Sequence, residues 1–97
     1  MNHDQIIRQS ILQKKLLQCY YEGHFRVIEP HVYGIKDNKY SILAYQVRGQ
    51  SSSGKIEWKR MFTEKMVSLI ELEENFSGPR PRLGTHSSFD ETLLIVK

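Results

Sequence analysis

The sequence predicts a mainly β domain, a small and strongly bent barrel of about five antiparallel strands with one N-terminal helix over an opening. Three features carry that expectation. Ile6, Ile7 and Ile11 recur at helical spacing near the start of the chain. After Lys15 the apolar period changes from helical to alternating. Turn-prone pairs, Glu22-Gly23 and Asp37-Asn38, then divide the alternating stretches as they divide hairpins. In 97 residues these elements must share a single modest core.

Asp4 to about Lys14 reads as a short amphipathic helix with Asp4 as N-cap and Lys14 and Lys15 at the cation-favouring C-terminal end. Gln5, Arg8, Gln9 and Gln13 fill its wet face. A helix this short is marginal alone, so its isoleucines must rest on the strands. Leu16 to Tyr21 is the first strand, with Leu17, Cys19 and Tyr21 alternating against Leu16, Gln18 and Tyr20. Phe25 to Tyr33 is the second. Pro30 has no N–H for a ladder, so this strand is at an edge, bent or interrupted there. Tyr40 to Val47 is the third strand, and Gly49 to Gly54 is a loop by composition.

Lys55 to Phe62 alternates again, placing Ile56, Trp58, Arg60 and Phe62 on one side. Thr63-Glu64-Lys65 breaks the pattern, and Met66 to Glu73 is the next strand. The domain thus spans 1–76, with the helix over 4–14 and the barrel over 16–76. Residues 77–97 form a kinked, Pro/Gly-rich arm in which Leu93 to Val96 is a candidate extra strand. Val27, Leu43, Val47, Ile70 and Leu72 are expected in the core.

An apolar content of 39% with 26% charged residues is that of a soluble globular protein. The net charge of +3 permits contact with a polyanion without demanding it. A single cysteine, Cys19, excludes an internal disulfide and a multi-cysteine zinc site, and reads as a small buried hydrophobe. His3, His24, His31 and His86 show no metal-ligand spacing. No signal-peptide pattern or membrane-length apolar run is present, so a cytoplasmic location without membrane contact is expected.

Three segments carry a family likeness: Arg26-Val27-Ile28-Glu29-Pro30-His31, Tyr40-Ser41-Ile42-Leu43-Ala44-Tyr45 and Met61-Phe62-Thr63-Glu64-Lys65-Met66. From about Ile11 to Phe76 the chain resembles the WYL domain family. The first segment matches its Arg-x-x-x-Pro strand. The second falls where Trp-Tyr-Leu leads into Ala-Tyr, with Tyr40 and Ser41 in place of Trp and Tyr. In the third, Phe62 stands where the family has an arginine, while Glu64 and Lys65 keep its charge pattern. The resemblance implies an Sm-like small barrel in a regulatory role, including transcriptional regulation, that binds a small or nucleotide-like ligand or nucleic acid. It also implies that Arg26 and Lys65 lie close together, with Tyr45 nearby.

Arg26, His31, Tyr33, Tyr45, Arg48, Lys59 and Lys65 are the candidate ligand-binding residues, able to line one pocket or groove. Arginine offers a planar fork to phosphate, and tyrosine offers a stacking face. Interleaved cations and aromatics also suit a single-stranded nucleic acid. The bland alternative is half-buried tyrosines and solvated cations. Trp58 reads as core, and Pro79-Arg80-Pro81-Arg82 as a solvated tail. No nucleophile or acid/base constellation emerges from the spacing. The expectation is a non-enzymatic, cofactor-free sensor domain for an anionic nucleotide-like ligand or single-stranded nucleic acid. The alternative is a ligand-free module for protein–protein interaction or homo-oligomerisation.

Overall fold

A computed structural model of the chain describes residues 3–50, 58–81 and 89–97. The expected strand start at Lys55 and Ile56, the loop from Ser51 to Gly54, and Arg82, Leu83, Gly84 and His86 lie outside them. One helix, α1 (His3–Gln13), precedes strands β1 (Lys15–Tyr21), β2 (His24–Lys36) and β3 (Lys39–Gly49). Strand β4 (Trp58–Phe62), a 3-10 turn (Thr63–Lys65), β5 (Val67–Asn75) and β6 (Glu91–Ile95) complete the order. All six strands form one antiparallel sheet in the order β4-β3-β2-β1-β5, with β6 also paired to β2.

Local chemistry explains the punctuation. Glu22 and Gly23 have φ of 52° and 78°, and Asp37 and Asn38 have 53° and 63°. Paired left-handed residues are the type I′ geometry whose twist suits a two-residue hairpin. Lys14 is also left-handed, at φ 56°, and ends α1 without a glycine. The freed terminal carbonyls are taken up by Asn75, whose Nδ2 donates to Gln13 O and Lys14 O, and by Phe76 N, which donates to Lys14 O at 2.9 Å. Asp4 lies inside the first turn, one residue past the helix start, instead of capping it.

Pro30 does not sit on an edge strand. One side of β2 pairs with β1 from His24 to Ile28 and with β6 from Val32 to Ile35, so Pro30 falls between two partners where no donor is needed. Toward β3, Pro30 pairs with Ala44 and Val32 with Leu43, leaving His31 as the extra residue of a bulge. The strand is therefore bent, and the bend aims Glu29 and His31 at a site described below.

The sheet curls without closing. β4 and β5 are its opposite edges, yet only the 3-10 turn and Met66 separate them. A 3-10 turn advances about 2 Å per residue. The edges of a flat five-stranded sheet would stand roughly 19 Å apart, so a flat sheet is impossible. Yet β4 and β5 share no ladder among the described residues, so the sheet is antiparallel and bent but not closed into a barrel. The Tyr21 hydroxyl accepts the Phe62 N–H at 2.9 Å, so a side chain bridges the position where another strand would bond.

Ile7 and Ile11 of α1 pack on Leu17, Ile28, Ile42 and Met61 to form the core. Val27 and Leu43 are buried, while Val47 and Leu72 are half-buried. Ile70 is 49% exposed, against expectation. Ser68 is left-handed at φ 56°, and the β1–β5 register shifts between Gln18 and Tyr20. That irregularity turns Leu69 inward and Ile70 outward, since a one-residue slip exchanges the faces of a strand. No helix among the described residues is long and apolar enough to cross a membrane.

Candidate functional site

Arg26, Lys59 and Lys65 reach one cavity of about 300 Å³ from β2, β4 and the end of the 3-10 turn. Arg26 is 3% exposed. Its Nε donates to Tyr21 O and its Nη1 to Gln46 Oε1, both at 3.3 Å, while its guanidinium lies 5.4 Å from the Tyr21 ring centre. Gln46 is itself fixed, donating to Gln50 O at 3.0 Å. Among the described residues, the carboxylate at the cavity is Glu22, half-exposed and 3.6 Å from Arg26 Nη2. Arg60 also borders the cavity, but its guanidinium lies 4.4 Å over the Phe89 ring.

Across the 3-10 turn lies a larger cavity of about 680 Å³, bordered by His3, Asp4, Arg8, Tyr33, Tyr40, Thr63 and Glu64. Tyr33 donates to Asp4 Oδ1 at 2.7 Å, and Arg8 Nε donates to both Asp4 oxygens at 3.1 and 3.0 Å. The Tyr33 hydroxyl bond and then the Arg8 guanidinium hold the Asp4 carboxyl below its ordinary range, against a smaller upward push from burial. Burial and the Asp4 charge push the Tyr33 phenol up. Tyr33 and Tyr40 stack at 5.9 Å. The Nε2 of His3 lies 2.9 Å from Met66 O, and a carbonyl only accepts, so this nitrogen carries the proton.

A third polar group is centred on Glu29, whose side chain is 8% exposed. Arg80 grips it with both prongs, Nε to Oε1 at 2.7 Å and Nη2 to Oε2 at 3.0 Å, and its guanidinium lies 4.0 Å from the Tyr45 ring centre. His31, fully buried, sits 3.2 Å from Glu29 Oε1 through Nε2, edge-on to Trp58 and tilted against Phe76. Burial first, and then the Arg80 charge, push the His31 pKa below its ordinary 6.5 against the pull of Glu29. The neutral ring donates its Nε2–H to the carboxylate and leaves Nδ1 buried without a partner.

The seven sequence-predicted residues thus fall in four places. Arg26, Lys59 and Lys65 come together. His31 and Tyr45 belong to the Glu29 group, and Tyr33 to the larger cavity. Arg48 is exposed and forks onto Glu74 at 3.0 and 2.6 Å. Sequence reasoning missed Asp4, Arg8, Glu29 and Arg80 as partners. Glu29 carried a signal: a carboxylate inside the run from Val27 to Val32 needs a cation. Cys19 is fully buried and its thiol is pushed up to about 11, which suits packing rather than nucleophilic attack. Among the described residues, no group of three His, Cys, Asp or Glu side chains is placed to hold a metal ion. Comparison with family models, curated proteins and solved structures finds no match to the chain.

Proposed function

We propose that this chain is a non-enzymatic binding domain, a WYL-like regulatory module on an open Sm-like barrel. Its ligand is the anionic group of a nucleotide-like molecule or of a single-stranded nucleic acid. The supporting observation is the convergence of Arg26, Lys59 and Lys65 from three elements on one cavity. The curl forced by the 3-10 turn, with α1 against the core, supports the barrel part of the reading. Arg26 is positioned before any ligand arrives, so binding loses little side-chain entropy there. A volume near 300 Å³ suits a phosphate-bearing head rather than an extended molecule. Glu22, half-exposed, is the group an incoming anion displaces.

The test is a titration of labelled oligonucleotides and a nucleotide panel at two salt concentrations. Affinity falls as salt rises, and Lys65→Ala reduces the slope by about 0.7 for one lost phosphate contact on a single strand. No binding of any anionic ligand by the wild-type chain refutes the reading. One observation favours the oligomer alternative. Tyr20 and Val67 pair in register and are 47% and 60% exposed, and they lie on β1 and the edge strand β5. Val67→Lys then lowers the mass seen by sedimentation, and a wild-type monomer at all concentrations rejects that alternative.

A further inference from the structure

Three neighbouring strands build a second site in the Glu29 region. β2 supplies the Glu29 carboxylate, β3 supplies the Tyr45 ring directly opposite it in register, and β4 supplies Trp58, opposite Tyr45 in turn. Trp58 meets Tyr45 edge-on at 5.5 Å and so fixes the ring. His31 holds the carboxylate from behind at 3.2 Å. A two-pronged acceptor beneath an aromatic face is the combination that separates a planar guanidinium from an ammonium, which can neither fork nor stack. The guanidinium comes from outside these strands, on the irregular Pro79-Arg80-Pro81 segment, and the Arg80 side chain remains 40% exposed.

We propose that Glu29, Tyr45 and Trp58 form an arginine-recognition site that Arg80 fills in cis. When the Pro79–Pro81 segment leaves, the site takes the arginine of another extended, proline-flanked peptide. Covalent attachment gives Arg80 a high effective concentration, so the chain's own segment acts as a built-in competitor. The site is distinct from the cation-rich cavity, and the two stand or fall separately.

Trp58 is the chain's one tryptophan and reports on the site by fluorescence. The experiment titrates the full-length Arg80→Ala chain with N-acetyl-arginine amide and with a Pro-Arg-Pro peptide. The expected result is a saturable fluorescence change, at least about tenfold weaker for the lysine counterparts, which lack the fork. The wild-type chain, already filled, gives no response over the same range. Adding Glu29→Gln to Arg80→Ala abolishes it. A folded Arg80→Ala chain that ignores arginine, or treats arginine and lysine alike, overturns the proposal and leaves Arg80 a structural tie. If Arg80→Ala does not fold alone, arginine amide and not lysine amide restores its circular dichroism. Failure of that rescue overturns the proposal equally.

Discussion

The Glu29 group and the Arg26 cavity contain similar chemistry and differ in their balance. Around Glu29, one carboxylate meets one guanidinium in a two-pronged bond, and a neutral imidazole donates to it as well. Around Arg26, cations from three elements border one cavity beside the half-exposed Glu22. A satisfied buried charge holds a fold together, because removing either partner strands the other. Like charges gathered at a cavity repel one another and favour an anion between them. The first arrangement is closed within the chain by Arg80, and the second is the one that the proposed function leaves for an anionic ligand.

The sharpest way to break this contrast is Arg80→Ala. It strands a carboxylate that is 8% exposed, whereas Arg80 itself is 40% exposed and partly hydrated already. The expected loss is about 2–3 kcal/mol, below the 3–5 kcal/mol of a fully enclosed pair. Urea denaturation measures it, and an unchanged midpoint would place Glu29 among ordinary surface ion pairs. Tyr33→Phe comes next. It removes the hydroxyl that bonds Asp4 at 2.7 Å but leaves Arg8 in place, so about 1 kcal/mol is expected from the same measurement.

A pH series sharpens the comparison further. The folded His31 pKa lies below 6.5, so the unfolded chain binds the proton first as pH falls. Stability that is whole above about pH 6.5 is therefore lost as pH drops from there toward the folded pKa. Arg80 is one of the causes holding that pKa down, and Glu29 opposes it. Arg80→Ala lets the His31 pKa rise toward its unfolded value, so the mildly acidic part of the stability loss shrinks. Proton NMR titration of the His31 ring reads the pKa directly, and a downward shift in the variant would contradict this account.

Much of this fold is legible because its turns are local. Glu22-Gly23 and Asp37-Asn38 specify their hairpins by residue type, and the helical isoleucines specify the buried side of α1. What fails is register. Ser68 is an uncommon left-handed non-glycine residue, and nothing in its type announces the irregularity that exposes Ile70. The candidate site is legible in part for the same reason. Arg26, Lys59 and Lys65 lie on elements that the curl brings together, and the family resemblance links the first and last. Tyr45 alternates to the face that carries Trp58, and there it meets Arg80, which arrives from a segment whose docking is long-range. Strand alternation gives the side of a sheet, but the closing partner depends on contacts across the whole chain.

The smallest expected effect is the most diagnostic for the cavity. Lys65 is exposed at the end of the 3-10 turn and stands with two other cations. If Lys65 serves a ligand and not the fold, Lys65→Ala leaves stability within about 0.5 kcal/mol, as surface changes do. Relief from its like-charged neighbours offsets whatever packing its stem contributes. Pyrophosphate should then raise the melting temperature of the wild-type chain by mass action and raise that of Lys65→Ala less. Arg26→Ala is the contrasting variant, because it removes donors from Tyr21 O and from the buried Gln46 and so lowers stability even without ligand. Both variants are read in one thermal-shift series with and without pyrophosphate. A Lys65→Ala chain that loses as much stability as Arg26→Ala in the absence of anion would show that the cations are structural, and the contrast with Glu29 would dissolve.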